Sequence, residues 1–202
     1  MRVDIAPLKT IFEEFYELVN VWHVDYSSNF PGNSYNLFVS LATLLCRHNF
    51  DLWHEEDKAR DPRASDSVIA NVKRNIDRLN QMRNDTIEML DVNILEFLNK
   101  DLPENLPINS ETPGSIVDRL SIAALKIYHM GEQTRRVDVT KEHIEQCTEK
   151  LKILKEQAKD LQNCLGVLID DLLAGRKRMK LYRQMKMYND PSLNPVLYSK
   201  KR

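Results

Sequence analysis

Glycine is scarce, at five in 202 residues, and stretches of alternating β-branched residues are few. Tight hairpins and sheets therefore lack their usual raw material, and helices are left. Cysteine is sparse too. Cys46, Cys147 and Cys164 fall on or beside apolar helical positions with no metal-site spacing, which reads as core thiols in a reducing compartment. No window approaches the roughly 20 apolar residues of a membrane span. The opening MRVDIAPLKTIFEEFYE puts acids where a signal peptide needs an apolar run. These features point to the cytoplasm. A net charge of −1 lacks the basic excess of a dedicated nucleic-acid binder.

Apolar residues recur at helical spacing. Leu8, Ile11, Phe12, Phe15, Leu18, Val19 and Trp22 predict a helix over 7–22, followed by a loop over 24–34 broken at Pro31-Gly32. A second helix spans 35–60 and stops at Asp61-Pro62. Ser65 caps a third, 66–98, striped by Ile69, Val72, Ile76, Leu79, Thr86, Leu90 and Ile94. A polar linker follows at 99–112. Thr112 and Pro113 then open a helix to about 136, apolar nearly all round in its middle and so central in the bundle. Thr140 caps the last long helix, which Gly175 ends. Segment 175–202 holds nine Lys/Arg and one Asp, so it carries +8 and the remainder −9. The basic stretch GRKRMKLYRQMKMY could contact phosphate, RNA or an anionic membrane. Packing on the acidic bundle is the expectation, because that surface supplies the complementary charge. The tail beyond, with Pro191 and Pro195, reads as extended.

Two stretches repeat each other at a constant offset of 75. Leu52-Trp53-His54, Asp57 and Arg60 correspond to Ile127-Tyr128-His129, Glu132 and Arg135. The same offset carries Ile69, Val72, Ile76, Leu79 and Leu90 onto Ile144, Cys147, Leu151, Leu154 and Leu165. The expected fold is all-α: one helical-bundle domain of two duplicated antiparallel hairpins (34–98 and 113–174), an N-terminal helix and loop (1–33), the linker 99–112, and the basic arm 175–202. The copies differ where Asp77, Asn80 and Asn84 become Lys152, Lys155 and Lys159, and where Arg83, on the apolar stripe, becomes Ala158.

Positions i, i+3 and i+6 of a helix span about 120°, so His54, Asp57 and Arg60 share a face, as do His129, Glu132 and Arg135. His54 and His129 are candidate bases or metal ligands, with Asp57 and Glu132 as carboxylate partners or further ligands. Arg60, Arg83 and Arg135 are candidate anion holders. Lys73, Asp77, Asn80, Asn84 and Glu88 form a polar stripe that could wall a cavity, so Asp77, Asn80, Arg83 and Asn84 join the ligand-binding candidates. The plainer alternative is salt-bridged helix ends and a solvated face. A ferritin-like di-metal site would add Asp85 and Asp160. His54 lies roughly 14 Å along its helix from the first turn and Asp85 roughly 33 Å along the next, at 1.5 Å per residue, so these two cannot meet within one hairpin. In a simple up-down-up-down bundle His54, Asp57, His129 and Glu132 converge at one end instead. A linker crossing the bundle would set His129 level with Asp85 and His54 with Asp160; short connections are commoner.

The strings NFDLWHEEDKAR, IANVKRNIDRLNQMRND, ETPGSIVDRLSIAALKIYHMGEQTRR and KMYNDPSLNPVLY together resemble a bacterial family of unknown function with LWHxEDxAR, IDxLNQxRND and KMYNDPxLNP segments. The resemblance implies a bacterial cytoplasmic helical protein and supplies no reaction. It places His54, Glu56, Asp57, Arg60, Asp77, Asn80, Gln81, Arg83, Asn84 and Asp85 in family motifs, with Asp118, Arg119, His129, Glu132 and Arg135. The leading expectation is a protein that binds or acts on a small anionic metabolite, phosphorylated ones included, with a divalent metal and a homodimer both left open. The rival is an interaction or scaffold module whose polar strings are internal salt-bridge networks.

Overall fold

The computed structural model describes residues 4–28, 36–98, 102–181, 183 and 192–193. A short 3-10 turn, Ala6–Thr10, leads into α1 (Ile11–Val24). Then come α2 (Leu37–Ala59), α3 (Asp66–Leu98), α4 (Pro113–Thr134) and α5 (Lys141–Leu173). Among the described residues the one β-type contact is an isolated bridge between Ile108 and Arg178. Among the described residues no helix is long and apolar enough to cross a membrane. The fold is an all-α bundle.

Side chains set the helix starts. The Asn36 carboxamide oxygen accepts from the Phe38 and Val39 amides, Thr112 Oγ1 from Ser115, and Thr140 Oγ1 from His143. Each occupies an amide that the helix itself leaves without a partner. Pro113 sits at the first position of α4, where its missing N–H costs nothing. Gly175 takes φ +68° just past α5, a conformation that L side chains rarely adopt.

Packing fixes the directions. Phe38 meets Phe97 edge-on at 5.5 Å, and Leu52 clusters with Val72, Ile76 and Leu79, so α2 and α3 are antiparallel. Ala123 and Ile127 pack with Ala158 and Leu154, while Thr112 and Pro113 lie beside Leu168 and Leu172, so α4 and α5 are antiparallel too. The Phe12 amide donates to Gln162 Oε1 at 2.9 Å, and Lys9 pairs with Asp170. Those contacts put the start of α1 beside the end of α5, next to the start of α4. Consequently α1, α2 and α4 run parallel, and their C-terminal ends share one end of the bundle. The hairpin pairs echo each other: α3 and α5 both have 33 residues, with starts and ends 75 apart, and α2 and α4 also end 75 apart.

One core holds most of the burial, with Phe15, Trp22, Leu45, Leu90, Leu120, Leu125 and Leu165 fully enclosed. Each such side chain contributes about 1.5–3 kcal/mol over an exposed one. Cys46 and Cys147 belong to buried positions, but Cys164 is exposed. It precedes the buried Leu165 and faces a flank with Ile122 and Lys126, so it corrects the reading of three core thiols. The basic arm begins against its own bundle: Arg176 and Lys177 pair with Asp171, the Arg178 amide donates to Pro107 O at 3.0 Å, and Met179 packs on the core. The predicted extended tail and most of the loop over 24–34 fall outside the described residues.

Candidate metal centre

The shared end of α1, α2 and α4 carries one histidine from each: His23, His54 and His129. One ring nitrogen of each lies within 4.8 Å of those of the other two. Ring centroids are 5.1 Å apart for His23 and His54, 4.9 Å for His23 and His129, and 6.1 Å for His54 and His129. His54 and His129, 75 residues apart in sequence, do meet.

Hydrogen bonds orient each ring. His23 Nδ1 lies 2.7 Å from Val19 O, and His54 Nδ1 lies 2.8 Å from Phe50 O. His129 Nδ1 lies 2.8 Å from Glu132 Oε2. A carbonyl or an ionised carboxylate only accepts, so Nδ1 carries a proton in all three rings, and a neutral ring then has its lone pair at Nε2. The Nε2 atoms of His23 and His129 are buried and have no hydrogen-bond partner among the described residues. An acceptor left so typically costs about 1–3 kcal/mol. Burial, and behind it the neighbouring His129 and His54, holds the His23 pKa below the ordinary 6.5, so that imidazole is neutral at neutral pH.

Aromatic rings pack the rest. Tyr128 stacks on His23 at 3.8 Å and 15°, and Trp53 stacks on His129 at 4.7 Å and 7°. Phe50 lies 4.8 Å from His23 and 4.4 Å from His54. Three imidazoles that each bring one ring nitrogen within 4.8 Å of the other two, each with Nδ1 held by a hydrogen bond, form a donor set suited to zinc, copper, iron or nickel. Tetrahedral bonds of 2.0–2.1 Å set ligand nitrogens roughly 3.3–3.5 Å apart, so the rings would close by about 1 Å at most on a metal. Three protein ligands leave the fourth position open.

The remaining candidates divide. Glu132 serves His129 as its orienting carboxylate rather than as a ligand. Asp57 and Arg60 face away from the histidines into a cleft of about 420 Å³ between α2, α3 and α4, with Trp53, Asn80 and Arg83. Arg60 is tied to Glu56 at 3.0 Å. Arg83 forks onto buried Asp118 at 2.7 and 2.5 Å, and the Asn49 amide donates to the same carboxylate at 2.8 Å and to Ser121 Oγ at 2.7 Å. Asp77 pairs with Lys73 on the exposed face of α3. Asn84 is half-buried, and Arg135 folds back past Gly131. His54 alone of the triad lines a second cleft, of about 200 Å³, between α2 and α3.

Sequence reasoning missed His23, which the offset of 75 does not match to another histidine. A signal was nevertheless present. Of the five histidines, His23, His54 and His129 alone follow an aromatic residue: Trp22, Trp53 and Tyr128. It also missed Asp118 as the partner of Arg83, and Asn49 as a donor to that carboxylate.

The family model described as protein of unknown function, DUF4254, matches residues 39–181. The chain belongs to this family. The match runs from α2 through α5 and includes His54 and His129, while His23 precedes it. No curated protein and no solved structure matches the chain.

Proposed function

We propose that His23, His54 and His129 hold a transition-metal ion whose open coordination position binds, and acts on, a small anionic metabolite. The observation that carries this reading is the convergence of the three imidazoles, each with Nδ1 engaged, and with the Nε2 atoms of His23 and His129 buried and without a partner among the described residues. Arg60 and Arg83 are already matched to Glu56 and Asp118, so the charge that would attract an anion is chiefly the metal's own. A metal-bound water would supply a nucleophile near neutral pH, and the metal would polarise a carbonyl or phosphoryl oxygen. The reading takes the two hairpins as copies of one ancestral unit whose equivalent histidines became joint ligands. It also takes the protein as bacterial and cytoplasmic, in line with the resemblance.

Metal analysis of the purified protein beside a thermal-shift series with Zn²⁺ tests it. One metal per chain is expected, with unfolding raised by about 2.7 kcal/mol at a hundredfold excess over Kd. Each of His23→Ala, His54→Ala and His129→Ala should lower both the metal content and the shift. The second reading, an interaction module, draws support from the internally paired Arg60 and Arg83. No metal and no shift would favour it.

A further inference from the structure

The two clefts differ in charge, and that difference decides which one an anion would use. In the larger cleft Arg60 is balanced by Glu56 and Arg83 by Asp118, and Asp57 adds an unbalanced negative charge. The smaller cleft has lining acids and bases equal in number, and Arg47, outside the lining, tips its balance to positive. Its Asp51 is held by Arg47 at 3.2 Å and accepts from Tyr26 Oη at 3.0 Å. Its Glu55 is held by Lys58 at 2.6 Å and accepts from Asn75 Nδ2 at 3.2 Å. Arg78 is left over. Among the described residues no carboxylate lies within ion-pairing distance of it, and its Nη1 lies 3.6 Å from Met82 Sδ. Glu55, the carboxylate whose charge it feels, is already engaged twice.

His54 connects this cleft to the triad. The Nε2 atoms of His23 and His129 are buried, whereas His54 lines the cleft wall. The side of the triad that an outside molecule can approach is therefore the His54 side. We infer that the ligand reaches the metal through the α2/α3 cleft and that Arg78 holds its anionic group. This inference rests on the metal reading above. A volume of about 200 Å³ lies below the 300–1,000 Å³ usual for drug-sized ligands, which limits the anchored group to a phosphate or a short carboxylate. A guanidinium suits either, because its paired N–H groups match two oxygens of one oxyanion.

The test uses the full chain loaded with Co²⁺, whose visible absorption reports ligation, titrated with inorganic phosphate. Arg78→Ala should weaken phosphate binding about tenfold, as loss of a charge-assisted hydrogen bond does, while Co²⁺ still binds at one per chain. Arg74→Ala is the control. It removes the same charge from the neighbouring turn, where Arg74 bonds only Asn71, and phosphate affinity should stay within about twofold of wild type. If Arg78→Ala binds phosphate as wild type does, or if Arg74→Ala weakens it equally, the assignment of Arg78 is overturned while the metal centre stands. If wild type gives no Co²⁺ absorption, both readings fall together.

Discussion

Asp91 offers a prediction that can be worked from the structure. It is 2% exposed near the end of α3, accepts from Thr112 Oγ1 at 2.5 Å and from the Gly114 amide at 2.7 Å, and so ties α3 to the first turn of the helix that carries His129. Those bonds and the positive end of α4 favour the carboxylate. Burial outweighs them, with Glu88 adding to it, and the pKa is pushed from 3.8 up to about 6. The folded protein therefore holds this proton more tightly than the unfolded chain. Below about pH 3 both states are protonated and the contribution is at its most favourable. As pH rises towards 6 the unfolded chain gives up the proton first, and stability falls; above about pH 7 the contribution is flat. At 1.36 kcal/mol per pKa unit the fall is roughly 3 kcal/mol. Asp91→Asn keeps the shape, lets its carbonyl oxygen accept from Gly114, and cannot titrate. Urea unfolding of wild type and variant from pH 4 to pH 8 isolates this group, since all others cancel in the difference. The stability of Asp91→Asn relative to wild type should climb by roughly 2–2.5 kcal/mol between pH 4 and pH 7. A difference that stays level across that range would refute the reasoning.

Two further predictions concern the neighbouring geometry. A Cβ at position 114 would lie 2.7–2.9 Å from the Asp91 carboxylate atoms, so Gly114→Ala should lower stability by about 1–3 kcal/mol, visible as a reduced urea midpoint. Glu132→Gln weakens the acceptor that orients His129 without removing the side chain, so Zn²⁺ affinity measured by competition should drop about tenfold to hundredfold; an unchanged affinity would mean that His129 does not bind the metal.

The helical frame was legible because local chemistry wrote it. Thr112-Pro113, Thr140 and Gly175 act through neighbouring backbone groups, and α3 runs over the same 66–98 that its stripe marks. The meeting of His54 and His129 was legible for another reason: equal hairpins in an up-down order bring equivalent positions to one end. His23 was not, because no sequence offset links it to the other two and it reaches the triad only through the packing of α1 beside α4. Asp57 was misjudged by the same symmetry. His54 takes the Phe50 carbonyl where His129 takes Glu132, so Asp57 is turned to a different cleft. Arg83 on an apolar stripe did signal a paired buried charge. Its partner Asp118 lies 35 positions away on another helix, a distance that spacing rules do not reach.

The central claim is a single metal on three imidazoles, and X-ray absorption at the edge of bound zinc tests it most directly. The account predicts three nitrogen ligands and one oxygen at about 2.0–2.1 Å, with an imidazole count that falls to two in any His→Ala variant retaining metal. Sulfur ligation at about 2.3 Å, or a metal environment unchanged by His23→Ala, would contradict it.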